Sequence, residues 1–232
     1  STPIAYVWDD HDFGDEHADT AARPAVMAEY HRCVPHWPLD SASSPIYQAF
    51  SVGRVRVLMT DARSARLRGV TMLGDEQLTW LERELLDASV DHAVTIWANP
   101  VPWVGAPGTN DDSWAGFPDE RRRIADHIAA NDLAGSLVMV SGDAHMVAID
   151  DGTNTDYSTT GRGGFALLHA AALDRPGHIK GGPYSHGTVA GGGQFGLVEI
   201  SDDGGSEVGV RLTGRNWRDE VLVELDLTVA AA

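Results

Sequence analysis

Cysteine and long apolar runs are both scarce in this sequence. Cys33 is the sole cysteine of the 232 residues, which excludes an intrachain disulfide framework and leaves the compartment undecided. Apolar runs stay well short of the roughly 18 residues that a membrane helix needs. The sequence therefore predicts a chain without a membrane span.

Positive charge is scarce as well. The chain has 17 lysines and arginines against 34 acidic residues, a formal net charge of -17, and Lys180 is its sole lysine. An acidic surface repels phosphate backbones and anionic lipids, so we do not expect nucleic-acid binding. Acidity attracts cations but also serves solubility, so charge alone does not indicate a metal site.

Short apolar runs alternate with helical patterns over the first two thirds of the chain. Helices are predicted at 15–34, 74–89 and 117–132 from apolar spacing and helix-start signals, and buried strands at 4–8, 52–61, 91–100 and 135–143. This alternation favours an α/β fold whose mixed strands are buried on both faces.

The last third of the chain has a different pattern. Residues 196–229 alternate as three strands with a "DDGG" turn, and the Gly-rich segment 181–196 is predicted to be a loop. We predict one domain over 1–232, with an α/β core in 1–172 and a Gly-rich loop and closing strands in 173–232. We also expect it to be incomplete at its N-terminus, because apparent site residues come within the first ten positions.

Carboxylates and histidines follow the predicted strands where these end. Ligands of open α/β sheets bind outside the carboxyl ends of the strands. The residues at these ends are Asp9, Asp10, His11 and Asp12, then Asp61, Asn99, Asp143 and His145. Oxygen and imidazole ligands together suit Zn, Fe, Mn or Ca, so we predict a metal site. The alternative is a set of polar loops and helix caps, since Asp is a good N-cap residue.

Two further patterns bear on this edge. Gly142 in "SGDAH" is expected to supply the backbone freedom that turns Asp143 and His145 toward one centre. Trp8, Trp97, Trp103 and Trp114 lie near the predicted site in sequence. They could form a stacking wall for a ligand, but core packing is the preferred interpretation.

Five segments in order resemble the PhoD-like (alkaline phosphatase D) family of the metallophosphoesterase superfamily. They are "YVWDDHDFG" (6–14), "PIYQAFSVGRVRVLMTDARSAR" (45–66), "MLGDEQLTWLERELLDA" (72–88), "WAGFPDERRRIADHI" (114–128) and "VSGDAHM" (140–146). The resemblance implies a two-sheet α/β sandwich that hydrolyses phosphomonoesters or phosphodiesters. It also implies divalent or mixed metal ions, namely Ca, Fe, Zn or Mn, and a small-molecule phosphate ester as substrate.

Site roles follow from the same resemblance. "DDHD" is similar to the superfamily's Gly-Asn-His-Asp/Glu motif, which implies that Asp10 binds metal and that His11 protonates the leaving group. "GDAH" is similar to the late Gly-His-x-His motif, which implies that Asp143 and His145 are metal ligands. Asn99 in "WANPVPW" falls where another ligand is expected.

An arginine completes the predicted site. "DARSAR" resembles the family's Asp-x-Arg signature, and Arg63 is the candidate for holding the substrate phosphate. A guanidinium fork suits that task. A structural ion pair between Arg63 and Asp61 is the competing interpretation.

The sequence departs from the family in one respect. The family's first metal motifs, including a Gly-Asp that bridges two metals, precede the part that matches. A two-metal cluster is therefore incomplete in these residues. The alternative hypothesis is a non-catalytic metal-binding half that needs a partner chain or a missing N-terminal segment.

Overall fold

The central sheet of the computed structural model has seven strands. The structure describes residues 3–14, 23–39, 45–109 and 112–231. The sheet order is β1-β2-β3-β4-β6-β5-β7, with β1 Gln48–Val52, β2 Val55–Met59, β3 Val94–Asn99, β4 Leu137–Ser141, β5 Met146–Asp150, β6 Ala166–His169 and β7 Thr188–Ala190. Strands β2, β3, β4 and β6 are parallel, so their carboxyl ends meet at one edge.

A second, three-stranded antiparallel sheet covers one face of the first. Its strands are β8 Gln194–Ser201, β9 Glu207–Asn216 and β10 Val221–Ala230, in the order β10-β9-β8. Val147 and Ile149 of β5 pack with Val210 and Leu212 of β9 in an apolar layer between the sheets. The predicted mixed α/β fold with two sheets and closing antiparallel strands is confirmed.

Helices cover the other face of the large sheet. They are α3 Gly74–Asp91 and α4 Pro118–Ala130, while α1 Asp10–Phe13 and α2 Arg23–Cys33 lie earlier in the chain. Leu81 and Ile124 are fully buried in the same apolar cluster as Trp97 of β3, as their helical spacing predicts. Within the described ranges, no helix is long and apolar enough to cross a membrane.

The predicted strand at 4–8 is wrong. These residues have no regular secondary structure, and Trp8 packs with Phe13 and Tyr30 in a separate small core. The segment is held by side chains: the Trp8 indole N–H donates to Asp61 at 2.8 Å, and the Tyr30 hydroxyl donates to the Tyr6 carbonyl at 3.3 Å. An apolar run thus marks burial here without marking a strand.

Three other predictions need adjustment. The alternation at 52–61 includes a turn, since Gly53 adopts φ 56° between β1 and β2. The predicted loop at 181–196 contains β7, which pairs with β5. Of the predicted helix at 15–34, residues 23–33 form α2, with Pro24 in its first turn, and residues 15–22 lie outside the described ranges.

Candidate functional site

The N-terminal segment is tied to the carboxyl edge of the sheet by Asp61. This fully buried carboxylate follows β2 and accepts hydrogen bonds from the Trp8 indole at 2.8 Å and the Ile46 backbone at 2.9 Å. It also accepts from the backbone N–H groups of Arg63 and Ser64 at 2.9 and 3.0 Å. Asp61 therefore joins three parts of the chain and brings the residues after Trp8 to the edge.

Three carboxylates meet at this edge. Asp9, Asp10 and Asp143 each offer an oxygen, and these oxygens lie within 4.8 Å of one another. Asp9 precedes the short helix α1, whose turn is closed by a 3.2 Å hydrogen bond from the Asp9 backbone N–H to the Asp12 side chain. The Asp12 carboxylate thus closes the start of α1, while Asp9 and Asp10 of the same acidic run contribute oxygens to the cluster.

The backbone at Asp143 is left-handed. Asp143 adopts φ 70°, a region in which Asp and Asn are among the more frequent non-glycine residues, and Asp132 and Asp219 share it. The expectation that Gly142 supplies the freedom is wrong, because Gly142 is not among the residues with positive φ. A Cβ at Gly142 would lie 3.2 Å from the Pro100 carbonyl oxygen, so its role is to allow close approach of two chain segments.

Arginines neutralise the Asp9 side of the cluster. Arg63 donates from Nε to Asp9 at 2.7 Å and from Nη1 to Asp112 at 2.6 Å. Arg66 donates to the same Asp112 oxygen at 2.8 Å. The suggested ion pair between Arg63 and Asp61 is wrong in its partner, because Asp61 accepts from the Arg63 backbone and the guanidinium contacts Asp9 and Asp112. These contacts fix the orientation of the Arg63 guanidinium beside Asp9.

Lys180 neutralises the other side. Its ammonium lies 3.0 and 2.9 Å from the two carboxylate oxygens of Asp143, whose side chain is only 6% exposed. Burial raises the pKa of Asp143, and Lys180 opposes that shift. Burial also lowers the pKa of Lys180, but the contact with Asp143 and the charges of Asp112 and Asp10 together outweigh it, so the net pKa is raised.

Desolvation and mutual repulsion mark the cluster as favourable for a cation. Burial raises the pKa of Asp9 to about 7, although Arg63 opposes it, and the nearby charges of Asp143 and Asp10 raise it further. Carboxylates that are short of water and repel one another gain from added positive charge. The donors in this cluster are all oxygens, which hard ions such as Ca²⁺, Mg²⁺ and Mn²⁺ prefer. The three carboxylates therefore fit a hard metal ion.

Two predicted ligands lie outside this carboxylate cluster. The Asn99 amide is buried; its nitrogen donates to the Val101 carbonyl at 2.6 Å, and its oxygen accepts from the Trp114 indole at 3.1 Å. His145 places Nδ1 3.2 Å from the Pro176 carbonyl. The structure thus brings together Asp10 and Asp143 of the predicted set, and joins Asp9 to them.

The aromatic side chains near the edge belong to the core. Trp8, Trp97, Trp103 and Trp114 are at most 1% exposed. A stacking wall for a ligand is therefore wrong for these four residues, and the packing interpretation is confirmed.

His11 lies beside the cluster and faces solvent. It is part of α1, its side chain is 73% exposed, and its Nε2 is 3.8 Å from an Asp10 oxygen. An exposed imidazole next to the carboxylates can reach a molecule bound there. Its role as proton donor remains a prediction.

The site contains contributors that motif reasoning did not assign. Asp112 and Lys180 belong to no quoted motif, although a single lysine before two glycines in an acidic chain is an unusual feature. Asp9 is among the residues at the predicted strand ends, but the family motifs imply no role for it. In the sequence, its position next to Asp10 is the feature that could have indicated Asp9 as a site residue. In the structure, Asp9 is held at the site by its contact with Arg63.

One comparison with known proteins identifies the family, and a second supports the fold. A family model described as PhoD-like phosphatase matches residues 1–172. A solved structure described as "Structure of PhoD" matches with a TM-score of 0.60 and 16% identity, covering 93% of this chain and 54% of that chain. The chain thus spans about half the length of that structure, and at this identity the likeness shows the fold. No curated protein matches the chain.

Proposed function

Because this chain belongs to the PhoD-like phosphatase family, we propose that it hydrolyses small phosphate monoesters or diesters with a metal-activated water. One observation carries this proposal. Asp9, Asp10 and Asp143 bring their oxygens within 4.8 Å of one another at the carboxyl edge of the parallel strands, inside the part that matches the family.

The carboxylates are the residues that would hold the metal. A bound divalent ion supplies Lewis-acid polarisation of the phosphoryl oxygens and lowers the pKa of a coordinated water. The ion is a hard cation in this proposal, because the clustered donors are oxygens. Asn99 and His145 remain proposed ligands of the same site. The Asn99 oxygen already accepts from the Trp114 indole, whereas the contact of His145 Nδ1 with the Pro176 carbonyl leaves Nε2 for a metal ion.

The chain's own residues would orient and protonate the substrate. His11 would give a proton to the departing alkoxide, a task for which histidine is the side chain that enzymes use most often. Arg63 holds Asp9 in place through its 2.7 Å contact and is the proposed contact for a phosphoryl oxygen where that contact opens.

The first test combines metal content with activity. The purified chain is assayed by elemental analysis and by hydrolysis of an aryl phosphomonoester and an aryl phosphodiester, before and after chelation. Stoichiometric metal with chelator-sensitive hydrolysis supports the proposal. A folded chain without either result would refute it for these residues.

Variants then separate the two roles. His11→Ala is expected to lower turnover of an alkyl phosphate ester by about 100-fold, the lower range for a lost general acid, while metal content stays unchanged. Aryl esters should be affected less, because phenoxide leaves without a proton more readily than an alkoxide. Asp143→Ala is expected to lower both, because it removes a ligand. Asp87→Ala, at an exposed position of α3, is the matched control and should change neither. Equal loss of metal in His11→Ala and Asp143→Ala would overturn the role assignment.

A second candidate is a non-catalytic metal-binding half that completes its site with further chain. The observation that favours it is the 54% coverage of the matched solved structure. Size-exclusion chromatography with the same assays discriminates the two proposals. An active, metal-containing monomer removes this candidate, and a metal-binding but inactive chain favours it.

A further inference from the structure

The contact between Lys180 and Asp143 has no assigned role in hydrolysis. Lys180 is the sole lysine of a chain with net charge -17, and its ammonium spans both oxygens of Asp143 at 2.9 and 3.0 Å. Asp143 is also one of the three clustered carboxylates. A protein cation therefore sits against a carboxylate that the proposed function gives to a metal ion.

Resting on the proposed function, we infer that Lys180 is a phosphate-binding residue. Its ammonium binds the Asp143 carboxylate until a metal ion displaces it. The ammonium and the metal compete for the same carboxylate. Once displaced, the ammonium contacts a phosphoryl oxygen of the substrate.

Charge favours this exchange. Asp10, Asp112 and Asp143 all act electrostatically on Lys180. A divalent ion among these carboxylates repels an ammonium on the same oxygens, because like charges at such short range are unfavourable. The displaced ammonium has three donors and no acceptor, so an anionic phosphoryl group is the natural new partner.

The backbone at Lys180 is held in place by its neighbours, so the side chain can move while its Cα stays fixed. The Tyr184 hydroxyl donates to the Lys180 carbonyl at 3.2 Å, and the His178 backbone N–H donates to the His145 carbonyl at 2.9 Å. A Cβ at Gly181 would come within 2.0 Å of the Val104 carbonyl, so the chain approaches that segment closely. The flexible four-carbon stem of Lys180 can then swing its charge without moving the loop.

Binding measurements on Lys180→Gln test the exchange. Calorimetry with Ca²⁺ is expected to show about tenfold tighter binding than the unchanged chain, because the competitor for Asp143 is gone. Inorganic phosphate is expected to bind the Ca²⁺-loaded variant about tenfold more weakly, because a charged donor is lost. Opposite changes in the two affinities are the signature of this role.

Control variants distinguish the proposed exchange from a structural role of Lys180 and from general charge effects. Arg175→Gln removes the same charge from an exposed position nearby in sequence and should change both affinities less than about twofold, as expected for a screened surface charge. Lys180→Arg keeps the charge and should restore phosphate binding. Weaker binding of both Ca²⁺ and phosphate to Lys180→Gln would overturn the inference, because it indicates that Lys180 supports the site's structure. Unchanged affinities would overturn it as well.

The single lysine also permits a direct observation of the exchange. Reductive methylation with ¹³C-formaldehyde labels Lys180, and its NMR signal is assigned by its absence from Lys180→Gln. Addition of Ca²⁺ should shift this signal in the unchanged chain and leave it in place in Asp143→Asn. A Ca²⁺-insensitive signal in a chain that binds Ca²⁺ overturns the inference alone. Absence of Ca²⁺ binding in every variant overturns the inference together with the proposed metal site. Loss of ester hydrolysis with the exchange intact overturns only the proposed catalysis.

Discussion

His169 is a fully buried histidine at the end of β6. Its Nε2 lies 3.1 Å from the Ala144 carbonyl, and its Nδ1 lies 2.7 Å from the Ser141 hydroxyl. A carbonyl oxygen only accepts, so Nε2 carries the hydrogen and Nδ1 accepts from Ser141. Burial lowers the pKa of His169 to about 4, so the imidazole is neutral in the folded chain at neutral pH.

Acidification should therefore reveal a stability loss due to His169. The unfolded chain takes up the proton near the ordinary pKa of 6.5, and the folded chain only near 4. The contribution is complete above pH 6.5 and is lost as the pH falls toward 4, by up to about 3 kcal/mol. Urea unfolding of the unchanged chain and of His169→Gln, in metal-free buffer from about pH 7 to pH 4, measures the free energy of unfolding at each pH. The unchanged chain should lose stability more steeply than His169→Gln as the pH falls.

The stability of the unchanged chain must be compared with that of His169→Gln, because other groups stabilise the folded state as the pH falls. Asp9, with its pKa raised to about 7 by burial, favours the folded state as the pH falls toward its ordinary value of 3.8. Both proteins share this contribution, so it cancels in the difference. Parallel stability losses would mean that folded His169 is protonated and would contradict the assignment of its hydrogen bonds.

Among the elements, β9 shows how closely the two sheets approach. A Cβ at Gly214 would lie 2.6 Å from Val147 Cβ on β5 and 2.7 Å from Val223 Cγ2 on β10. Such distances are shorter than real Cβ contacts, so the glycine is required by packing between the sheets. Gly209 on the same strand has room, since its nearest neighbour would be Ser201 Cβ at 3.5 Å.

The two glycines make a matched pair for a packing test. Gly214→Ala is expected to destabilise the chain by about 1–3 kcal/mol, the usual cost of overpacking a core. Gly209→Ala should have an effect of at most about 0.5 kcal/mol, as is common away from such packing. Urea unfolding compares them. Equal effects would mean that the sheets lie farther apart at Gly214 than described.

For the molecule as a whole, the net charge of -17 works against the compact state. Raising NaCl from about 10 mM to 1 M shortens the screening length from about 30 Å to 3 Å. We expect this to relieve self-repulsion by about 1 kcal/mol and to raise the melting temperature by about 2–4 °C. Thermal scans in NaCl and in choline chloride check this and separate screening from specific Na⁺ binding.

The opposite result has a defined meaning. A lower melting temperature at high salt would show that ion pairs stabilise the fold more than self-repulsion weakens it. Candidates are the exposed pair of Arg211 with Glu224 at 2.6 Å and the buried pair of Arg63 with Asp112 at 2.6 Å. The exposed pair is the more sensitive to salt.

Much of the fold and part of the candidate site could be predicted from sequence. The spacing of Leu81 in α3 and Ile124 in α4 is local and repeats with the helical turn, so it predicts those helices and their buried faces directly. Asp10 and Asp143 follow from short motifs, and the family follows from several motifs in order. The strand predicted at 4–8 failed because Trp8 is held by the Asp61 side chain, a contact that leaves no period in the sequence.

The remaining features depend on how distant segments pack. Asp9 receives its Arg63 contact from a residue 54 positions away, and Lys180 meets Asp143 across 37 positions. Asn99 has the residue type of a metal ligand, but its amide is hydrogen-bonded to Val101 and Trp114. Composition and periodicity are properties of the chain itself, so they settled the fold class, the acidic character and the helices. Which carboxylates share a cluster, and which cation faces them, was settled by packing, because loops without periodicity bring those groups together only in the folded protein.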